Sequence, residues 1–171
     1  MPRSLADGHK KIAILTEKPA NPAAPTLTEL NAGIDAACRI LASDWSFSAT
    51  DSDKINERAV CDENNSNAIG ASNYQAGATI FREFDETTKA PDPVEDALFA
   101  AAWVKGTQLW IYERHTAKKS TEAWAADDEI RLGAEVLTDE PQAPGEGGYI
   151  KARVPMEVQK GYPYIQVAAG A

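Results

Sequence analysis

The stretch that decides the fold is YIKARVPMEV, Tyr149–Val158, in which apolar and polar side chains alternate. Its apolar positions are Ile150, Ala152, Val154, Met156 and Val158, and the positions between them are Lys151, Arg153, Pro155 and Glu157. A period of two puts successive side chains on opposite faces of a β-strand. The same alternation recurs at Ile130, Leu132, Ala134 and Val136. These two stretches predict a mainly β protein whose strands each have one buried and one wet face.

Length and charge limit the class of protein. The chain has 171 residues, of which 43% are apolar and 25% charged, as expected for one globular domain with a core. The longest apolar run, 97–104, is far shorter than the roughly 20 residues that cross a bilayer. The net charge of −9 argues against a nucleic-acid reader, because phosphate binding needs lysine or arginine. It does not argue against a conduit through which nucleic acid slides.

Local patterns predict the remaining elements. A short helix over 27–32 is capped by either Thr26 or Thr28 and limited by Gly33. Residues 36–50 fit either a helix or a strand, and we favour a broken strand through residue 50. A helix over 92–105 has Asp92 as its N-cap and Gly106 as its stop. The other predicted strands are 10–17, 74–84, 107–114 and 129–137.

Residues 51–73 are polar and carry no clear periodicity. A connection of this length is uncommon in a compact domain unless it has a function. We expect a projecting loop with little secondary structure of its own. The last residues, GYPYIQVAAGA, show no partner within the sequence and are expected to form an arm.

No pattern of catalytic or metal-binding residues is evident. His9 lies in the N-terminal segment and His115 follows a strand, and both are interpreted as surface residues because catalysis needs a positioned partner. Cys38 and Cys61 are predicted to be reduced and mostly buried, and the spacing of cysteine and histidine does not fit zinc. No secretory signal is expected at the N-terminus. We predict no catalytic, cofactor or metal site.

The four tryptophans divide into core and surface candidates. Trp103 and Trp110 are predicted core residues, and Trp45 belongs either to the core or to an interface. Trp124 lies in a polar loop before Asp127, where it either packs locally or marks a partner surface.

Three segments together resemble a known family. They are ASDWSFSATDSDKINERAVCDENNSNAIGASNYQAGATIF (Ala42–Phe81), KKSTEAWAADDEI (Lys118–Ile130) and GGYIKARVPMEVQ (Gly147–Gln159). In this order and at this length they resemble the major tail (tail tube) proteins of long-tailed, siphovirus-type phages of actinobacteria. The similarity covers residues 10 to about 160 and contains no catalytic motif.

The resemblance implies a fold and an assembly. The expected fold is a β-sandwich or partial barrel with one flanking helix, which closes into a β-barrel ring on oligomerisation. A single tail-tube domain, 1–171, would carry an N-terminal arm (1–9), the projecting loop (51–73) and a C-terminal arm (160–171). Hexameric rings would stack helically in the virion tail after assembly in the host cytoplasm. The implied partners are other copies, a tape measure protein, a tail terminator and DNA passing through the bore, with no membrane.

Candidate interface and lumen residues follow from this picture. The loop acids and the loop tryptophan are candidate interface residues: Asp51, Asp53, Glu57, Asp62, Glu63 and Trp124. Three acids on wet strand faces are candidates to line the lumen, although the same faces fit the outside of a tube: Glu129, Glu135 and Glu157.

Two alternatives stay open at this point. One is a head–tail joining or capsid decoration protein, which forms a single ring or trimer without polymerising. The other is a β-sandwich module that binds carbohydrate through Trp45 or Trp124.

Overall fold

A computed structural model describes residues 5–145 and 147–170. Nine strands and two α-helices make up the regular structure of these residues. The strands are β1 Lys11–Leu15, β2 Ile34–Asp35, β3 Ser46–Thr50, β4 Lys54–Asn56, β5 Asn67–Ile69, β6 Asn73–Phe81, β7 Gln108–Arg114, β8 Glu129–Thr138 and β9 Lys151–Gln166. The helices are α1 Leu27–Ala32 and α2 Ala97–Ala102, and short 3-10 turns lie at Ala37–Arg39 and Ala42–Asp44. None of these helices has the length and apolarity needed to cross a bilayer.

Seven strands form one antiparallel sheet in the order β2-β1-β7-β8-β9-β6-β3. The fold is therefore mainly β, as predicted, and the sheet does not close into a barrel within one protomer. Both edge strands come from one run of chain, residues 34–50. Within that run, Ile40 bridges Ile80 of β6 and the N–H of Ala36 donates to the carbonyl of Ile12 at 2.9 Å. This run therefore links the two ends of the sheet.

Helix α1 follows the predicted signals. The Thr26 hydroxyl accepts a hydrogen bond from the Glu29 N–H, and the Glu29 carboxylate accepts one from the Thr26 N–H at 2.8 Å. This reciprocal capping box satisfies two backbone donors at the helix start. Gly33 ends the helix, so Thr26 is the cap and Thr28 is not. Of the broken strand predicted over residues 36–50, only β3 is confirmed as a strand, because the residues before it form two 3-10 turns.

Helix α2 is shorter than the predicted 92–105 segment. The Asp92 carboxylate does accept hydrogen bonds from the N–H groups of Val94 and Glu95, both at 2.8 Å. The residues that it caps form a turn and not the first turn of an α-helix. Asp96 has a ψ of 8°, outside the helical range, while its carboxylate binds the Arg82 guanidinium and the Glu83 N–H. The tertiary contact therefore overrides the local helix signal. Because the helix ends at Ala102, Trp103 lies beyond it and is 54% exposed, so its predicted core position is wrong.

The core has two parts, on opposite faces of the sheet. The first cluster contains α2 and most of the apolar strand residues, among them Ile12, Phe47, Leu132, Ala134, Val136, Val154 and Met156. The second cluster covers β1 and β7 with α1, the 118–128 loop and the C-terminal segment, and contains Leu15, Leu30, Trp110, Tyr112, Trp124, Ile130 and Val167.

A bulge in β8 divides the apolar residues of this strand between the two clusters. Glu113 pairs with Leu132 and Arg114 with Ile130, so Arg131 is an extra residue. In the facing part of β9, Tyr164 has a positive φ of 49°. The four alternating residues from Ile130 to Val136 are all buried, as predicted. They do not share one face, however, because the bulge turns Ile130 into the second cluster.

The C-terminal segment differs from the expected arm. Residues 160–166 continue β9 and pair with β8 as far as Glu129↔Gln166. Val167 is buried and exchanges backbone hydrogen bonds with Asp127 and Asp128, both at 3.0 Å. Residues 160–167 therefore belong to the sheet and second core of their own protomer. Of the expected N-terminal arm, residues 1–4 lie outside the described residues.

The two cysteines also differ from expectation. Cys38 and Cys61 are free thiols, as predicted, but both are exposed. Cys38 lies in a 3-10 turn and Cys61 in the 51–73 segment, and neither segment inserts its cysteine into the core.

The close approach of β7 and β8 gives a test of this packing. At Gly133, an added Cβ would lie 2.6 Å from the Tyr112 ring, which is fully buried and whose hydroxyl donates to the Pro22 carbonyl at 3.0 Å. We predict that Gly133→Ala lowers the free energy of unfolding by about 1–3 kcal/mol, because the ring has no room to move. At Gly161 the clash is with the half-exposed Tyr74 ring, so Gly161→Ala should cost less. Urea titration followed by tryptophan fluorescence measures both, and equal losses would contradict the explanation.

Candidate assembly surfaces

The described residues show no arrangement typical of a catalytic or metal centre. Within 5–145 and 147–170, no group of three or more His, Cys, Asp or Glu side chains could hold a metal ion. His9 Nδ1 contacts the Asp7 carbonyl at 2.9 Å, and His115 Nδ1 lies 4.0 Å from the Glu129 carboxylate at the surface. The features that stand out are surfaces, namely a projecting hairpin, a polar sheet face and a strand edge.

Residues 51–73 form a projecting hairpin, called the hairpin below. It contains β4 and β5, three residues each, which pair only with each other, so the expected loop has a small sheet of its own. The pairing went unpredicted because each strand has only three residues and all six are exposed. At the base, Asp53 exchanges backbone hydrogen bonds with Gly70 and Ala71 at 2.7 and 2.9 Å. The hairpin is therefore held by its own backbone contacts.

The five acids predicted for an interface all lie exposed on the hairpin. Asp53 has a local structural role, because its carboxylate accepts a hydrogen bond from Asn73 Nδ2 at 2.9 Å. Asp62 likewise accepts the Ala59 N–H at 3.2 Å within the turn. Glu57 and Glu63 lie on either side of the turn at 60–61, and Asp51 contributes its carbonyl to Asn73.

Trp124 is separate from these acids. It is 5% exposed, belongs to the second core cluster, and lies with its ring 5.6 Å from the Arg114 guanidinium carbon. The structure thus gives it a packing contact within the protomer. Sequence reasoning did not single out three exposed apolar residues of the hairpin: Ile55, Val60 and Ile69.

A second surface is the polar face of strands β3, β6, β9 and β8, called the open face below. The helices pack elsewhere, α2 in the first cluster and α1 in the second. The strand pairings place these residues on the open face: Ser46, Ser48, Gln75, Gly77, Pro155, Glu157, Lys160 and Glu135. It is built largely from small or polar side chains.

The three candidate lumen acids do not all share this face. Glu135 and Glu157 lie on it, and Glu135 accepts a hydrogen bond from Gln108 Nε2. Glu129 lies beyond the Arg131 bulge, where the alternation is inverted. The uniform alternation assumed from sequence is wrong at that point. The open face also carries Lys160, so its charge is mixed.

Side chains from the middle of the sheet reach the start of the β3 edge. Glu113, which is 2% exposed, accepts hydrogen bonds from Trp45 Nε1 at 2.7 Å and from Arg131 Nε at 2.8 Å. Arg131 also donates to the Phe47 carbonyl on β3. These residues, called the Glu113 cluster below, connect β7 and β8 to the far edge of the sheet.

The family of the chain is established by comparison with known proteins. A family model described as phage tail tube protein matches residues 1–171. The chain belongs to the phage tail tube protein family. Comparison with curated proteins and comparison with solved structures gave no match. Membership implies a structural, non-enzymatic component of the virion tail that assembles with other copies of itself.

In this tail tube protein, the start of β3 is anchored by a second polar contact. The Asp44 carboxylate accepts a hydrogen bond from the buried Thr79 hydroxyl and pairs with Arg153. The Thr79 hydrogen bond, together with the Arg153 charge, holds the pKa of Asp44 below its ordinary value. Asp44 and the Glu113 cluster thus fix β3 from two sides.

The Glu113 cluster predicts a specific loss of stability. We expect Arg131→Met to lower the free energy of unfolding by about 3 kcal/mol, because the buried Glu113 carboxylate loses its charged partner. The matched control is Arg39→Met, which breaks the more exposed Arg39–Glu95 pair (3.0 Å) and should cost under about 1 kcal/mol. Urea titration of both variants measures the difference. Equal losses would show that the cluster contributes no more than a surface pair.

The Asp44 contact predicts a dependence on pH. Since its pKa is lower when folded, Asp44 adds stability above its unfolded pKa of about 3.9, and this stability is lost as pH falls through the folded pKa. Thr79→Val removes the first cause of the shift. Its unfolding free energy should therefore fall less between pH 7 and acid than that of the parent. Thr107→Val, whose hydroxyl donates to the Val104 carbonyl, is the control and should keep the parental slope.

Proposed function

We propose that the chain is the repeating subunit of rings that stack helically into the tail tube of a long-tailed actinobacterial phage. The rings are hexameric, as the resemblance implies, and DNA passes through their bore into the host. The single observation that best supports this is the open face, a polar sheet surface left uncovered by the protomer's own helices. An antiparallel sheet with one solvated face suits the wall of a water-filled bore.

Ring closure follows from the edges of the sheet. β3 and β2 lie at opposite ends of the strand order, and β2 pairs with only two residues of β1. Pairing the edge of one protomer with the edge of the next would continue the sheet around a ring. A closed ring removes the exposed edges that otherwise promote aggregation.

The charge of the open face suits the passage of DNA. Tight binding of phosphates requires lysine or arginine partners. On this face, Arg153 is engaged by Asp44, and Lys160 lies 5.5 Å from the centre of the Tyr162 ring. Glu135 and Glu157 add negative charge to the same surface. The proposed lining therefore repels a polyanion without being uniformly acidic.

The proposed partners come from the resemblance. A tape measure protein would occupy the bore during assembly in the host cytoplasm, and a tail terminator would end growth. The loop acids Asp51, Asp53, Glu57, Asp62 and Glu63 are assigned to contacts between subunits or rings, since the hairpin that carries them projects from the sheet. Because Trp124 is buried, its proposed interface role is indirect: the 118–128 loop that carries it would contact the neighbouring subunit.

The alternative functions differ in what they require. Carbohydrate binding needs an open aromatic platform, whereas Trp124 is buried and Trp45 donates its Nε1 hydrogen to Glu113. A joining or decoration protein would form one ring or a trimer and stop.

Imaging of the concentrated protein tests the proposal. We expect electron cryomicroscopy to show hollow tubes with six subunits per ring and with Glu135 and Glu157 at the bore. Single rings that never stack would favour a joining protein. Monomers at all concentrations would contradict the proposed function.

The role assigned to the hairpin gives a separate prediction. Thr50 and Asn73 are cross-strand partners, so replacing residues 51–72 with Asn-Gly should close β3 and β6 with a two-residue turn. We expect this variant to keep the unfolding transition of the parent, because the hairpin has its own sheet. It should fail to form tubes, as judged by negative-stain microscopy and sedimentation. Normal tubes from the shortened chain would refute the role.

A further inference from the structure

The hairpin and an apolar cleft lie at opposite ends of strand β6. β6 begins at Asn73, the last residue of the hairpin, and its ninth residue, Phe81, lies in the wall of the cleft. At ~3.3 Å per residue, the eight steps from Asn73 to Phe81 place the two ends about 26 Å apart. A projection at one end and a recess at the other can join copies head to tail, but cannot meet within one copy.

The cleft has a volume of about 410 Å³ and is lined by Phe81, Arg82, Glu83, Phe84, Tyr149 and Ile150. Its apolar lining is open to solvent, since Tyr149 is 81% and Ile150 66% exposed. Apolar groups gathered in one exposed recess often mark a protein–protein contact.

The walls of the cleft are held in place. The Phe81 and Tyr149 rings meet edge to face with centroids 6.0 Å apart. The Arg82 N–H donates to the Ile150 carbonyl at 2.9 Å, while its guanidinium pairs with buried Asp96 at 2.8 Å and lies 5.3 Å from the Phe84 ring centre. A recess formed before binding avoids part of the ordering cost of association.

The hairpin has complementary properties. Its turn carries the fully exposed Val60, with Cys61 next to it. Its five carboxylates outnumber its two cations, Lys54 and Arg58. At the cleft, Lys151 pairs with Phe81 across the strands, and its ammonium lies 3.1 and 3.3 Å from the neutral carbonyls of Gly147 and Tyr149. The acidic hairpin with its apolar tip thus complements a recess that is lined mainly by apolar side chains, with Glu83 the acid among them, and that lies beside a lysine.

We propose that the cleft receives the hairpin tip of a second copy, with Val60 entering between Phe84 and Tyr149. The inference rests on the proposed function and adds a specific receptor for the hairpin. The contact uses different surfaces on the two copies, and repeating such a contact without closure produces a helical filament. It therefore accounts for stacking along the tube, separately from the edge pairing that closes each ring.

The native Cys61 allows a direct test. The parent is the full chain with Cys38→Ser, which leaves Cys61 as its sole cysteine. Two tagged variants each add one cleft cysteine to this parent, either Tyr149→Cys or Phe84→Cys. Each is assembled with an excess of untagged parent, so that the tubes form mainly from parent chains. Mild oxidation of the tubes should link the new cysteine to Cys61 of a neighbour, because a disulfide needs Cα atoms within about 7 Å. The control is Asn31→Cys, on the exposed side of α1.

We expect several-fold more tagged disulfide-linked dimer from the two cleft variants than from Asn31→Cys, and loss of that excess when Cys61 is replaced by serine. Dimer yields equal to the control in well-formed tubes would overturn the cleft proposal while leaving the tail tube function intact. Absence of tubes from the parent chain would overturn both.

A substitution at the tip provides an independent measurement. Val60→Asp should remove stacking, because a charge would enter an apolar recess. The matched control, Asn64→Asp, adds the same charge elsewhere on the hairpin and should still form tubes. Tubes from both variants would contradict insertion of Val60.

Discussion

The fold depends on satisfying one buried carboxylate, that of Glu113. A charge inside a core is tolerated only when it is paired and hydrogen-bonded. Both partners come from outside its own strand: Arg131 from the β8 bulge and Trp45 from the chain entering β3. Pairing Glu113 therefore draws the far edge of a seven-stranded sheet against its middle. The protomer obtains a curved sheet with a core on its inner side, although backbone hydrogen bonds do not close it.

The same bulge organises the other face of the sheet. Arg131 is an additional residue in β8, and the strand resumes with inverted alternation, so Ile130 points away from the first core cluster. Ile165 of β9 and Val167 join it there, beneath α1 and beside Trp124. One extra residue thus supplies a partner for Glu113 and seeds a second apolar cluster. Half of one face becomes covered, and the other half remains the open face.

Features set by neighbouring residues were predictable from sequence, and features set by distant contacts were not. The Thr26 cap, one of the two candidates, and the alternation of β8 and β9 are local, and each was recognised. The early end of α2 arises because Arg82, 14 residues away, binds Asp96. The continuation of β9 past Pro163 depends on pairing with β8 and on the positive φ of Tyr164. The β4–β5 pairing could not be predicted from alternation, because neither strand has a buried apolar face.

The candidate surfaces show an even stronger contrast between what local sequence predicts and what only the folded structure shows. Sequence reasoning found the acids of the hairpin because polar composition is visible in the chain. It did not find Val60, Tyr149 or Ile150 as surface residues, because an apolar residue normally predicts burial. Their exposure becomes evident only in the folded sheet, where the hairpin and the cleft lie at opposite ends of β6 and cannot cover each other. In a protein built to polymerise, part of the apolar content is reserved for contacts between copies. An isolated protomer therefore leaves exposed residues that the sequence pattern assigns to a core.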